Sequence, residues 1–192
     1  MNVQLSNKKE AIFETTLKLV KEHGFHGTPM SQIATHANVA TGTIYHYFSS
    51  KDELIVELFK YCRLKMGEHV FKIDNGFSYK ERFFHIWNSL LEYYADHQDV
   101  FSFFEQFYSS PYSELVKNKE ITEDFNADKM MRFFKEGVAN KEIRNITFYS
   151  FISAFIGTLT FLVRSNQYGL YQADENDRSD LIEIIWNGVK NQ

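Results

Sequence analysis

One cysteine, Cys62, is all the thiol that the 192-residue sequence holds. That excludes an intramolecular disulfide and a multi-cysteine metal site, and it suits a reducing compartment with Cys62 as a small apolar core residue. Proline is nearly as scarce. Only Pro29 and Pro111 interrupt the chain, and its 9 glycines are too few for an all-β fold, which needs a turn about every dozen residues. Long helices fit that punctuation. The first residues, Met1 to Lys9, lack the apolar stretch of a secretory signal, so the expected location is the cytoplasm. Charge is missing from Asn145 through Val163, close to the length of a membrane span. Asn145, Thr147, Ser150, Ser153, Thr158 and Thr160 fall inside that run, and such residues suit a helix buried between protein surfaces better than one facing lipid. No membrane partner is expected. Also missing are G-x-S-x-G, H-E-x-x-H and a phosphate-binding loop, so the sequence reads as no enzyme, with no catalytic residue and no cofactor assigned.

What is present belongs to a folded globular chain: hydrophobic residues make up 44%, charged residues 24%, and mean hydropathy is -0.37. The charge is unevenly spread. Residues 1 to 65 hold 8 Lys/Arg and 6 Asp/Glu, a net of +2, and the remaining residues hold 13 and 19, a net of -6. The split allows a first third that faces a polyanion, attached to an acidic remainder that a polyanion repels.

From Lys8 to His23 the apolar residues Ala11, Ile12, Leu17, Leu19 and Val20 recur at helical spacing, and Gly24 follows where a helix end favours it. Thr28-Pro29 then offers an N-cap oxygen and a proline at the first helical position. Met30, Ile33, Ala34 and Ala37 make one narrow stripe, so the second helix is short and ends at Asn38, which tolerates a left-handed turn. A third helix covers Thr41 to Phe48, with Ile44 and Phe48 inward. Its other face carries Thr41, Gly42, Thr43, Tyr45, His46 and Tyr47, where a merely solvated helix would carry Glu, Lys and Gln. Two short helices joined by a tight turn, the second presenting small and hydrogen-bonding groups, have the layout of a helix-turn-helix that reads the major groove.

The ordered series Gly24-Phe25, Thr28, Ser31-Gln32-Ile33-Ala34, Ala37-Asn38-Val39, Thr41 to Phe48 and Lys51-Asp52-Glu53-Leu54 resembles the DNA-binding domain of the TetR family of transcriptional regulators. The resemblance covers about residues 8 to 58. It departs at Asn38, where the family often has Gly, and at Ala40-Thr41, where it often has Ser or Thr followed by a cation; Thr41 then serves as the helix cap. The resemblance implies an all-α chain, with a three-helix DNA-binding domain over residues 1–50 and a helical effector-binding and dimerisation bundle over 51–192. It also implies phosphate contacts from Thr28, Tyr47 and Lys51, contacts to bases or nearby phosphates from Thr41, Thr43, Tyr45 and His46, close backbone approach at Gly42, and second-helix contacts from Ser31 and Gln32. His23, His26 and His36 lie close in sequence, but no carboxylate or Cys stands at a ligand spacing, so no metal is assigned.

Beyond Lys51 the periodicity predicts helices over Lys51 to Lys72, Phe77 to His97, Val100 to Ser109, Ser113 to Val138, Thr147 to Tyr168 and Ser179 to Asn191, with a turn at Asp74-Asn75-Gly76. Residues 77 to 112 hold 13 of the 32 aromatics. Bundles need such residues for their core, yet a pocket between helices also binds small apolar ligands. With the resemblance, this points to a small hydrophobic effector touching some of Trp87, Phe104, Phe107, Tyr108, Phe134 and Phe155. Arg164 stands either to meet an anionic head group or to pair at the surface. The charge-free helix and the last helix, with Leu181, Ile182, Ile185, Trp186 and Val189, look like the family's dimer interface. The reading is a ligand-responsive repressor that binds a palindromic operator in double-stranded DNA as a homodimer. The alternative is a helical ligand-binding protein without sequence-specific DNA binding.

Overall fold

The computed structural model describes residues 7–73, 76–116 and 125–192. The described residues form helices and the turns between them: α1 (Asn7–His23), α2 (Met30–His36), α3 (Thr41–Tyr47), α4 (Lys51–Val70), α5 (Tyr79–Asp96), α6 (Gln98–Tyr108), α7 (Tyr112–Leu115), α8 (Phe125–Ala139), α9 (Phe148–Gln167) and α10 (Glu175–Val189). The expected all-α class is what is found. The turn expected at Asp74-Asn75 lies outside the described residues, as does the middle of the helix expected from Ser113 to Val138. At its described ends that helix is two elements, α7 and α8.

The chain divides into two compact units. The first comprises residues 1–63 and 97–123, the second 64–96 and 124–192, so α4 contributes to both. The sequence reading placed its boundary at residue 50. The compact units group α6 and α7 with the first three helices.

In the first unit, α1 ends where Gly24 enters the left-handed region (φ +67°) and its N–H donates to the Val20 carbonyl at 2.9 Å. Asn38 takes the same conformation after α2 (φ +53°), while the Val39 N–H reaches back to the Ala34 carbonyl at 3.0 Å. The core under these helices is Ile12, Phe13, Leu17, Val20, Ile33, Ile44 and Phe48, joined by Leu54, Ile55 and Leu58 of α4. α6 packs along α1, and Gln106 donates to the Val20 carbonyl at 2.9 Å. α4 starts on a cap. The Glu53 N–H donates to the Ser50 hydroxyl at 3.1 Å, and the Ser49 N–H donates to the Glu53 carboxylate at 2.6 Å.

In the second unit, α5 packs on α9 and α10. Ser78 and Glu81 form a reciprocal capping box at the start of α5, and Asp174 and Asp177 form another at the start of α10. The latter starts α10 about a turn before the Ser179 expected from apolar spacing. Phe83 is the hub of the interior: its ring lies 5.0 Å edge-on from Phe155, 6.2 Å from Phe151 and 5.2 Å from Trp186. Burying each such ring contributes about 1.5–3 kcal/mol. α9 is the one helix, among the described residues, long and apolar enough to cross a membrane. Phe151, Phe155 and Leu159 on its inner side are fully buried within the unit.

α5 and α8 are joined by a stack. The Tyr79 and Phe133 rings are parallel with centroids 4.4 Å apart, the Tyr79 hydroxyl donates to the Phe133 carbonyl at 3.0 Å, and the Arg82 guanidinium lies over both rings and pairs with Glu136. The hydrogen bond from Arg82 holds the Glu136 carboxyl below its ordinary value. A depressed carboxyl stabilises the fold above its unfolded pKa and loses that contribution as pH falls through the folded one. Both side chains are partly solvated, so Glu136→Gln is expected to cost no more than about 1 kcal/mol at neutral pH. The difference from wild type is expected to shrink in thermal melts taken from about pH 7 down to about pH 3. A difference that grows with acid would contradict this account of the pair.

Candidate nucleic-acid interface and effector core

Two short helices make the candidate interface. α2 begins after Pro29, whose carbonyl accepts from the Gln32 N–H at 3.0 Å and the Ile33 N–H at 3.1 Å. Pro29 is therefore the N-cap, and the cap expected from Thr28 is not made. Thr28 is completely buried, and its hydroxyl donates to the Gly24 carbonyl at 2.8 Å. Its hydroxyl closes the end of α1, which leaves the expected phosphate contact at Thr28 to the start of α2. Ser31 is exposed and Gln32 half-buried on the outer side of α2.

At α3 the cap is displaced the other way, to one residue before the expected Thr41. Ala40 is the N-cap without any side-chain hydrogen bond, and Thr41 is the first helical residue. Ile44 and Phe48 anchor the helix, being 0% and 1% exposed. That leaves Thr41, Gly42, Tyr45 and His46 exposed, with Thr43 and Tyr47 half-buried beside them. The tyrosine ring of Tyr47 is supported at 5.5 Å by His46 and at 6.2 Å by Phe48. A Cβ added at Gly42 would meet nothing within 4 Å, so the fold itself does not require glycine there.

The electrostatics suit an anion. From Gly24 to Ser50 the chain carries no Asp, Glu, Lys or Arg, so no carboxylate lies on α2 or α3 to repel a phosphate, and hydroxyls, imidazoles and backbone N–H groups are what they offer. Lys51 stands just beyond. Its ammonium donates to the Phe25 carbonyl, and burial lowers its pKa from the ordinary lysine value, partly opposed by Asp52. An ammonium has three N–H donors, so this bond leaves others for a phosphate.

The residues expected to meet an effector fall into two groups. Phe104 and Phe107 are buried in the first unit, where Phe107 stacks on Phe59 at 4.1 Å and Phe104 meets Phe59 edge-on at 5.7 Å. Tyr108 is exposed, and its hydroxyl accepts from Arg63 at 3.1 Å. Trp87, Phe134 and Phe155 are buried in the second unit, with Phe134 and Phe155 both against Phe151. Arg164 is exposed on α9. Sequence spacing marks the aromatics among these as core or pocket candidates and carries no information on which unit each joins.

A groove of about 600 Å³ lies between α9 and α10 and is lined by Ser153, Gly157, Phe161, Tyr171, Leu181 and Ile184 among others. Tyr149, Phe161, Tyr168, Tyr171 and Ile184 expose 55% or more of their surface there and nearby. Ile182, Ile185, Trp186 and Val189, which the sequence reading put at a dimer interface, are buried inside the unit instead. They are core. The outer face of α10 belongs to Leu181 and Ile184, half a turn away on the helix.

With this geometry in view, residues 12–58 match the family model described as "Bacterial regulatory proteins, tetR family", and residues 59–191 match "Tetracyclin repressor-like, C-terminal domain". The chain belongs to the TetR family. One relative is the fatty acid metabolism regulator protein of Bacillus subtilis (strain 168), 35% identical over 69 residues, which are 36% of this chain and 34% of that protein. The chain thus spans about a third of that relative's length. Among solved structures, a TetR family transcription regulator from Marinobacter aquaeolei VT8 aligns at 20% identity and TM-score 0.84, covering 96% of both chains. The transcriptional regulator FadR from Bacillus subtilis, in complex with stearoyl-CoA, aligns at 20% identity and TM-score 0.71, covering 93% of this chain and 98% of that one. At those identities the TetR-family structures show a common fold.

Proposed function

We propose that this TetR-family regulator is a cytoplasmic, ligand-responsive repressor that binds a palindromic operator as a homodimer and is released by a small hydrophobic effector. The observation that carries the DNA-binding part is the outer face of α3: small, hydroxyl-bearing and uncharged, anchored from behind by Ile44 and Phe48. One such helix reads few bases, whereas a two-fold pair reads two half-sites about 10 bp apart. The exposed apolar face of α9 and α10 supports the pairing. Phe161 projects beside Gly157, where an added Cβ would meet nothing, so the knob of one copy fits the hollow of another. For the effector, the aromatic interior of the second unit and the stearoyl-CoA held by the Bacillus subtilis FadR support an apolar ligand.

The test is binding to the DNA flanking the protein's own gene, at several salt concentrations with non-specific competitor. Gly42→Ala separates reading from folding. A methyl group in open space on a helix is expected to leave stability unchanged or raise it by up to about 1 kcal/mol. The same methyl is expected to weaken operator binding about tenfold by holding the backbone off the DNA. Lys51→Ala is expected to weaken binding to all sequences and to lower the salt slope by about one per protomer. Operator binding untouched by Gly42→Ala and Lys51→Ala would remove this face from the interface. Sequence-blind binding by the wild type would favour the reading as a ligand-binding protein without an operator.

A further inference from the structure

Trp87 sits near the middle of α5, one turn beyond Phe83, and is 0% exposed. Its indole Nε1–H has no hydrogen-bond partner among the described residues. Native interiors keep such groups few, because a buried donor without a partner has lost its water and gained nothing in exchange. A phenylalanine at this position would fill much of the same space with no polar atom to leave unpaired. The indole therefore calls for an explanation that packing does not supply.

The surroundings restrict the explanation. In the second unit, among the described residues, no Asp, Glu, Lys, Arg or His is buried. The other buried polar groups include Ser89, whose hydroxyl faces His85 at 3.3 Å, and Tyr79, whose hydroxyl is engaged by the Phe133 carbonyl. The one guanidinium with an enclosed nitrogen among the described residues of this unit, Arg82, is already paired with Glu136, so a charged group brought to Trp87 would lack a free counter-charge. A neutral acceptor would satisfy the indole and cost little to bury.

Resting on the effector reading above, we propose that the effector is an apolar molecule bearing one uncharged hydrogen-bond acceptor, such as a ketone, ester or thioester carbonyl, and that the Trp87 Nε1–H binds and selects that acceptor. Trp87 is enclosed, so a ligand that reaches it displaces neighbouring side chains. α5 packs directly on α9 and α10, the helices proposed to carry the dimer face, so a shift of α5 on ligand entry reaches them. The indole recognises; the displaced packing transmits.

Benzophenone and diphenylmethane provide matched probes, two rings joined by a carbonyl in one and a methylene in the other. Both are titrated against the full chain, wild type and Trp87→Phe, with thermal shift and equilibrium binding as readouts. The expected result is wild-type preference for the ketone by about fivefold or more, abolished in Trp87→Phe while diphenylmethane binding is kept. In nitrogen-edited NMR of the wild type, the Trp87 Nε1–H resonance is expected to move with the ketone and not with the hydrocarbon. That measurement stands even if Trp87→Phe folds poorly. Equal binding of both probes with an unmoved indole resonance overturns the proposal and leaves the apolar-effector reading in place. If neither probe binds, the effector reading falls for compounds of this class, and the proposal with it.

Discussion

Replacing Phe161 with Asp is expected to halve the protein's mass in solution, from twice 22.7 kDa to the single chain, and to lower operator affinity by about 10²–10⁴-fold. Phe161 exposes 70% of its surface on α9. A charge there costs the isolated chain little, because the side chain touches water already. In a pair it is another matter. Two copies meeting across α9 and α10 would bury two carboxylates in an apolar seam about a two-fold axis, each without a counter-charge. DNA affinity follows the mass because two half-sites engaged together bind far more tightly than either alone. Sedimentation and operator titration on the same samples check both consequences, with Phe161→Leu as the variant that keeps the seam apolar. A Phe161→Asp protein that stays dimeric would move the interface elsewhere on the chain.

The second large effect is on stability. Gly137→Ala is expected to cost about 1–3 kcal/mol or more and to lower the melting temperature by several degrees. Gly137 lies in α8 against the Tyr79 phenol. A Cβ built there would fall 2.3 Å from the Tyr79 Oη, 2.4 Å from its Cζ and 2.7 Å from Ile143 Cγ1. None of these can step aside cheaply. The phenol is held by the Phe133 carbonyl, its ring is stacked on the Phe133 ring, and the Arg82 guanidinium packs against both rings. Tyr79→Phe alone loses that hydrogen bond, worth about 1 kcal/mol. In the double variant the closest atom to the new methyl is gone, so the two costs should sum to less than their separate values. Thermal or urea unfolding of the four proteins checks this, and strictly additive costs would mean that Gly137 and Tyr79 do not meet.

How far such features can be read from sequence depends on the distance over which their causes act. Gly24 and Asn38 announced the ends of α1 and α2 because left-handed backbone is a property of single residues, and both have positive φ. The outward face of α3 followed from Ile44 and Phe48 standing one turn apart. Local capping is less legible. Thr28 looked like a cap for α2, but its hydroxyl turned back to the Gly24 carbonyl, a choice set by the turn between two helices. The start of α10 is hidden from apolar spacing because residues 174 to 180 carry no apolar side chain, so periodicity is silent while the capping box acts through carboxylates. Ser50 with Glu53 and Ser78 with Glu81 have the same S-x-x-E spacing, a signal that marks the starts of α4 and α5. Long-range choices were out of reach. Periodicity says that Phe104 and Trp87 are buried, and nothing in it says that one joins the first unit and the other the second. Gly137 was equally silent, since its need for hydrogen depends on a tyrosine far away in sequence.

One small pairing bears on how the chain is made. Residues 142 to 144 are stitched to the last helix's end: the Arg144 N–H donates to the Val189 carbonyl at 2.9 Å, and the Asn191 N–H donates to the Glu142 carbonyl at 2.9 Å. During synthesis, the second unit has to wait for residues 189 to 191 to leave the ribosome before that stitch closes. The first unit draws only on residues up to 123 and is complete well before then. The nascent chain therefore completes its α3 face before its α9–α10 face, an order in which the unit proposed to face DNA is folded before the face proposed to pair with a second copy.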